Sequence, residues 1–259
     1  MNAAIRPILA PRRPELDPRP LARRVGLIAL ATDHTSEPDF RRMVANERIG
    51  VYVARIAYAN PTTPQNLRRM QPALSAGAGL ILPGETLDAI CYSCTSASVV
   101  IGDSAVEAAI QAAKPGVPVV TPALAAARGL TASGARRISI LTPYTVETSL
   151  PMVDYFAAKG FAIDAFTCLG LDDDREMARI RLQEIVEFAT AAITDASDAL
   201  FISCTAMRAA VVAPEIEARI GRPVVTSNLA TAWNCLRLCG EETPRPDWGR
   251  LMTLPLPAA

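Results

Sequence analysis

A single histidine, His34, occurs in the whole chain. A metal site built from several imidazoles is therefore excluded, and a Ser-His-Asp triad could be assembled only around that one residue. There is no surplus charge of either sign. Lys+Arg and Asp+Glu both number 26, so no global field points to nucleic acid or an anionic membrane. No apolar run reaches the ~20 residues that span a bilayer. Neither a Walker loop nor a G-x-G-x-x-G follows a strand-like run, so nucleotide binding is not expected. The first 24 residues are rich in Pro and Arg and carry no apolar stretch of the signal-peptide kind; they read as a disordered lead-in. Six cysteines without an export signal read as thiols in a reducing compartment. The expectation is a cytoplasmic protein with neither a nucleic-acid nor a membrane partner. Homo-oligomerisation is left open.

Hydrophobic residues make up 50% of the chain and charged residues 20%, the balance of a globular α/β protein. Short β-branched runs at 25–31, 51–56, 87–91, 118–121, 138–141, 161–166, 199–203 and 223–226 read as strands. Amphipathic, often Ala-rich stretches at 38–45, 64–76, 104–113, 122–132, 145–159, 175–192, 206–219 and 228–238 read as helices. Strands alternating with helices imply parallel sheets flanked by helices.

The chain also repeats itself. L-D-A-I-C-Y-S-C-T-S-A-S (87–98) and A-L-F-I-S-C-T-A-M-R (199–208) both end an apolar run on Cys-Thr. Each copy is followed by a near-identical strand, G-V-P-V-V-T-P (116–122) and G-R-P-V-V-T-S (221–227). The expected organisation is an N-terminal half at 25–121 joined by a C-terminal helix at 228–240, a second half at 122–227, and a tail at 241–259. The two halves are pseudo-symmetric and the site lies between them. Ligands bind beyond the carboxyl ends of parallel strands. Both Cys-Thr pairs fall there, as do the loops 32–35 and 142–145.

Cys94 and Cys204 are thus the candidate catalytic residues, one per half. A thiol at a helix start meets free N–H groups and the positive end of the dipole, which would hold its pKa below the free value of about 8.5. Two thiols serving one carbon centre would stand roughly 6–9 Å apart. Thr95, Ser96 and Thr205, with the amides after each cysteine, could hold a carboxylate. Tyr144 could add a hydroxyl donor, and Thr32, Asp33 and His34 line the loop after the first strand. The expected partner is a small carboxylate substrate.

Other readings compete. Cys91 and Cys94 have C-x-x-C spacing, but Cys91 closes a strand, so redox activity is disfavoured. Cys235 and Cys239 sit at i, i+4 and could complete a Cys₄ site with that pair. Trp233, Leu236 and Leu238 around them favour a packed helix face, so no metal is expected. The acidic run 172–174 reads as a helix cap.

The paired Cys-Thr motifs and the Asp-containing loop resemble the aspartate/glutamate racemase superfamily. That superfamily holds amino-acid racemases, maleate cis-trans isomerases and arylmalonate decarboxylases. The strings T-D-H-T-x-E-P-D-F (32–40), Y-A-N-P-T-T-P (58–64), I-C-Y-S-C-T-S-A-S-V-V-I-G (90–102), L-T-P-Y-T (141–145) and S-N-x-A-T-A-W (227–233) are similar to its ectoine-utilisation branch, EutA. The resemblance covers residues 24–240. It implies two flavodoxin-like halves and a cofactor-independent isomerase, a racemase or a cis-trans isomerase, acting on a small amino or dicarboxylic acid. In racemases of the family two cysteines work on opposite faces of Cα. In its maleate isomerases the residue matching Cys94 adds to the double bond, and the residue matching Cys204 serves as acid or base. Its decarboxylases have glycine where Cys94 stands. Many of its maleate isomerases carry Asn beside Ser or Thr where this chain has Asp33-His34. A decarboxylase and a non-catalytic ligand-binding protein on the same fold remain the alternatives.

Overall fold

The computed structural model describes residues 6–257. Residues 6–22 form no helix or strand and are largely exposed; residues 1–5 of the expected lead-in and 258–259 of the expected tail lie outside the described residues. The strands are β1 (Arg23–Leu30), β2 (Ile49–Ile56), β3 (Ala89–Tyr92), β4 (Val119–Val120), β5 (Arg137–Tyr144), β6 (Ala162–Leu171), β7 (Ala199–Ile202) and β8 (Val224–Thr226). The helices are α1 (Ser36–Met43), α2 (Pro64–Arg68), α3 (Gln71–Leu80), α4 (Thr95–Ile101), α5 (Asp103–Gln111), α6 (Pro122–Ala132), α7 (Val146–Ala158), α8 (Asp174–Met177), α9 (Leu182–Ala192), α10 (Ala209–Ile220) and α11 (Ser227–Leu238). Two 3₁₀ turns, Pro246–Trp248 and Arg250–Thr253, follow.

The strands form two four-stranded sheets, ordered β2-β1-β3-β4 and β6-β5-β7-β8, with every pairing parallel. The second order is the first one repeated, so the sequence repeat is also a topological repeat. From Val25 onward β1 is buried at every position, as a strand covered on both faces requires. The expected α/β class with two pseudo-symmetric parallel sheets is what the chain adopts.

The two Val-Val-Thr segments explain how the halves lock together. In each, apolar β-branched residues form the last strand of the sheet, β4 or β8, and the threonine caps the next helix. Thr121 Oγ1 accepts from the Leu124 N–H at 3.4 Å, and Thr226 Oγ1 from the Leu229 N–H at 3.2 Å. The helices so started, α6 and α11, pack on each other. Each also crosses over: α6 lies against β7 and β8, and α11 against α1 and β3. One core therefore runs without a break from Leu27 and Phe40 through Trp233 to Ile140 and Phe201. A smaller core on the far face of the first sheet gathers Ile28, Leu74 and Ile110. Trp233 is fully buried, and its indole N–H is satisfied by the Leu254 carbonyl at 2.8 Å.

Local differences from expectation have identifiable causes. The helix expected at 64–76 is two helices, because Pro72 lacks the N–H needed to continue the first and suits the start of the second. The helix expected at 175–192 breaks at Arg181, whose backbone is extended. Helix begins at Thr95, immediately after Cys94, and is interrupted at Gly102 by a φ of 92° before α5. After Cys204, by contrast, the chain turns for several residues before α10 starts at Ala209, so the helix expected from 206 begins late. Among the described residues no helix is long and apolar enough to cross a membrane.

Candidate active site

The first half brings Cys94 to the end of β3 as the N-cap of α4, with extended backbone. The second half brings Cys204 beyond β7 with φ at 105°. That region favours glycine, and a cysteine held there stores strain of about 1–3 kcal/mol, as residues at functional sites often do. Both side chains are almost sealed, at 5% and 4% exposure.

Hydroxyl groups connect the two thiols. Cys94 Sγ lies 3.8 Å from Ser96 Oγ. The phenol of Tyr144, buried at the end of β5, neighbours both Ser96 and Cys204. On the other side, Thr95 Oγ1 donates to Ser227 Oγ at 2.8 Å, and the same oxygen accepts the Cys204 N–H at 3.1 Å. Ser227 thus receives one hydrogen bond from each cysteine's neighbourhood. Thr205 Oγ1 donates to the Ser93 carbonyl at 3.2 Å. The hydroxyl protons of Thr95 and Thr205 are therefore engaged in bridges between the halves. The structure places Ser96, Tyr144, Thr95 and Thr205 together around the cysteines.

Both thiols are held protonated. Burial pushes Cys94 up to about 11, against the weaker downward pull of the Ala97 N–H and Ser96. Burial pushes Cys204 up to about 12, against Tyr144 and the N–H groups of Met207 and Ala206. Met177 Sδ, 3.8 Å from Cys204 Sγ, supplies part of that apolar wall. The depressed thiol pKa expected from the sequence is thus overturned. Helix-start amides are present, but desolvation outweighs them.

The loop after β1 divides its residues. Asp33 turns inward, where its carboxylate accepts from the N–H groups of Thr35 and Ser36 at 2.7 Å each and from Ser36 Oγ at 2.6 Å. Burial raises its pKa despite those bonds. Ser36 Oγ also meets Ser93 Oγ at 2.6 Å, which ties the loop to the residue before Cys94. Thr32 Oγ1 bonds the Asp174 carboxylate of the second half. His34 points outward, exposed, and lines two surface depressions, one with Asp173, Arg175 and Arg179 and one with Glu37, Arg41 and Arg55.

Several neighbours escaped the sequence reading. Tyr58 stands close enough to Cys94, Asp174 and Cys204 for their charges to oppose its ionisation, after burial as the main cause. Its hydroxyl meets Thr62 Oγ1 at 2.6 Å. Asn60 Nδ2 donates to Asp173 at 2.9 Å and Asp174 at 2.8 Å. The acidic run does cap α8 through Asp173, whose side chain accepts from the Arg175 N–H. Asp174 adds a tie between halves that a capping pattern does not reveal. The string 58–64 held the signal, but nothing in its local spacing shows that it reaches the second half.

Cys91 and Cys235 lie against each other in the core, and Cys239 is close by. Among the described residues no group of three or more His, Cys, Asp or Glu side chains is placed to hold a metal ion. The Cys₄ alternative is thus not assembled.

An arylmalonate decarboxylase from Bordetella bronchiseptica is 32% identical over 139 residues, which span 52% of this chain and 58% of that protein. A maleate isomerase from Alcaligenes faecalis is 23% identical over 245 residues, covering 89% of this chain and 96% of its own. Among solved structures, a Nocardia farcinica maleate cis-trans isomerase mutant with a covalently bound succinylcysteine intermediate superposes with a TM-score of 0.81. It is 24% identical and covers 89% of this chain and 98% of that one. This likeness shows the shared fold. Residues 78–252, more than half of the chain, match the family model for arylmalonate decarboxylase. The chain belongs to the arylmalonate decarboxylase and maleate isomerase family, within the Asp/Glu racemase superfamily.

Proposed function

We propose that this protein is a cofactor-independent isomerase of a small amino or dicarboxylic acid, with Cys94 and Cys204 as its two working groups. One observation carries the reading: each half delivers a buried cysteine to one hydroxyl-rich cluster, with Ser96 and Tyr144 linking the two. In a cis-trans isomerisation, Cys94 first releases its thiol proton to solvent, and the thiolate so formed makes an S–C bond as the alkene π bond opens. The Cys204 thiol gives its proton to the other carbon. Rotation about the resulting single bond, return of that proton and loss of the thiolate give the trans product. In a racemisation, one thiolate takes the Cα proton while the opposite thiol returns one to the other face. Both routes need one thiolate and one thiol.

The succinylcysteine captured in the similar Nocardia protein supports the first route. Substrate class is narrowed further by the resemblance to the ectoine-utilisation branch, which favours a diaminobutyrate-like or aspartate-like acid. The sequence match to a decarboxylase supports a second reading, loss of CO₂ from an activated malonate. The presence of Cys94, where decarboxylases of the family carry glycine, weighs against it. Incubation with maleate, aspartate, diaminobutyrate and an arylmalonate in D₂O separates these outcomes. Racemisation places deuterium at Cα, cis-trans isomerisation moves the alkene proton signal, and decarboxylation releases CO₂. Release of CO₂ alone, or binding without turnover, would overturn the isomerase reading.

A further inference from the structure

The strained turn at Cys204 needs something to hold it. Its neighbours' backbone groups are gripped from outside the second sheet. Thr35 Oγ1 donates to the Ala206 carbonyl at 2.6 Å. Asn228 Nδ2, at the start of α11, donates to the Thr205 carbonyl at 3.0 Å and to Asp39 Oδ2 at 2.8 Å. Asp39 is fully buried on α1, and its other oxygen meets Arg42 at 3.1 Å. Asn228 Oδ1 is buried with no partner. That orphan oxygen is informative, because an ordinary structural asparagine would be turned or placed to satisfy it. Here the amide is fixed with its nitrogen towards two acceptors, and turning it over would set its oxygen against both. The Asp39 carboxylate therefore dictates which end of Asn228 faces the Cys204 turn.

From this geometry we infer that Asp39 and Asn228 are positioning residues, which hold the Cys204 turn in its strained conformation through the Thr205 carbonyl. Neither contacts a thiol. They act through the loop, and the inference rests on the two-cysteine reading only for its consequence on turnover. The pair links α1 to α11, the crossing helix, so the first half controls where the second half's cysteine points.

The test exploits the direction of the hydrogen bonds. The exchanged variant Asp39→Asn with Asn228→Asp restores a bond between positions 39 and 228. A carboxylate at 228 cannot donate to the Thr205 carbonyl. A pair that merely ties two helices together is rescued by the exchange; a positioning pair is not. Iodoacetamide labelling of the intact protein, read peptide by peptide by mass spectrometry, reports Cys204 with Cys94 as internal control. With the thermal midpoint restored near that of the parent, labelling at Cys204 should rise roughly five- to tenfold, the factor for one net hydrogen bond lost from the closed turn, and Cys94 should not change. In an assay with whichever candidate acid the parent turns over, kcat should fall by a similar factor with KM little altered. An unchanged ratio of the two labelling rates, or an equal rise at both sites, would overturn the inference. If the exchanged variant does not fold, Asp39→Leu with Asn228→Leu replaces the pair by apolar side chains of similar shape and leaves the Thr205 carbonyl equally bare. The same labelling ratio then decides. If the parent protein isomerises none of the candidate acids, the functional reading fails there, while the labelling ratio still decides this inference.

Discussion

Consider the titration of the two thiols. Burial holds Cys94 at about 11 and Cys204 at about 12, against an ordinary thiol value of 9.0. Those displacements correspond to about 3 and about 4 kcal/mol against the thiolate. Near neutral pH the thiolate fraction falls about 100-fold at Cys94 and 1000-fold at Cys204 below that of an ordinary cysteine. Iodoacetamide reacts with the thiolate. Labelling at each site, measured in separate buffers and quantified on the two peptides, should therefore climb about tenfold per pH unit, without a plateau below about pH 10. A limb that levels off at either cysteine below about pH 9 would refute the desolvation argument. It would restore the simpler picture of a thiolate poised by helix-start amides. The sign of the stability linkage follows from the same shift. A thiol whose folded pKa is raised contributes stability that is fully present below its unfolded value. That stability is lost as pH rises towards the folded value. The thermal midpoint should thus fall above about pH 9, and less so in Cys204→Ala.

Three further outcomes are expected. Cys94→Ala and Cys204→Ala should each abolish turnover in the D₂O assay while circular dichroism stays native, and the double variant should be hardly worse than either; full activity in one of them would remove that residue from the chemistry. Thr95→Val deletes the donor to Ser227, which also receives the Cys204 N–H. A drop of roughly tenfold in kcat/KM with a midpoint loss worth ~1 kcal/mol is expected, and a lower midpoint with unchanged kinetics would make Thr95 a structural bridge only. Burial lifts Asp39 to about 6 from 3.8, so its stabilising contribution, present at acid pH, is lost as pH rises through about 6, at a cost of about 3 kcal/mol. Asp39→Asn should raise the neutral-pH melting temperature in calorimetry, and a lowered one would show that the carboxylate's hydrogen bonds outweigh its desolvation.

The eight strands, the two parallel sheets and the equivalence of Cys94 and Cys204 were legible because each rests on local pattern. Apolar β-branched runs mark buried parallel strands, and Val-Val-Thr marks a strand handing over to a capped helix. What was not legible depends on distant pairing. The links from Thr32 and Asn60 to Asp174 join residues more than a hundred positions apart, and no periodicity encodes them. Ser227 and Asn228 fall in a string that looked like the opening of a helix, yet they grip the turn around Cys204. The thiol pKa direction was misread for a related reason. Helix-start amides can be read from sequence, but the enclosure that outweighs them, such as Met177 against Cys204, exists only in the fold.

Duplication explains why two cysteines meet, but not why they differ. The repeated sheets carry each Cys-Thr pair to the same topological place. The connections beyond then diverge: Cys94 caps α4 with relaxed, extended backbone, whereas Cys204 sits in a clamped turn with φ at 105°. Cys94 has Ser96 and the Ala97 N–H beside its sulfur; Cys204 has Met177 as well as its donors. Two identical coupled thiols would also lose their protons in two separate steps, but with no preference for which sulfur goes first; the inequality is what assigns the thiolate to one side. The environment with the smaller desolvation burden is the one expected to lose its proton first. On the proposed two-thiol reading, Cys94 would then serve as nucleophile or base of the forward reaction and Cys204 as proton donor. Substrate-like electrophiles should therefore modify Cys94 first, and protection of Cys204 with Cys94 labelled is the product pattern to look for. Preferential capture at Cys204 would reverse the assignment while leaving the two-thiol site intact.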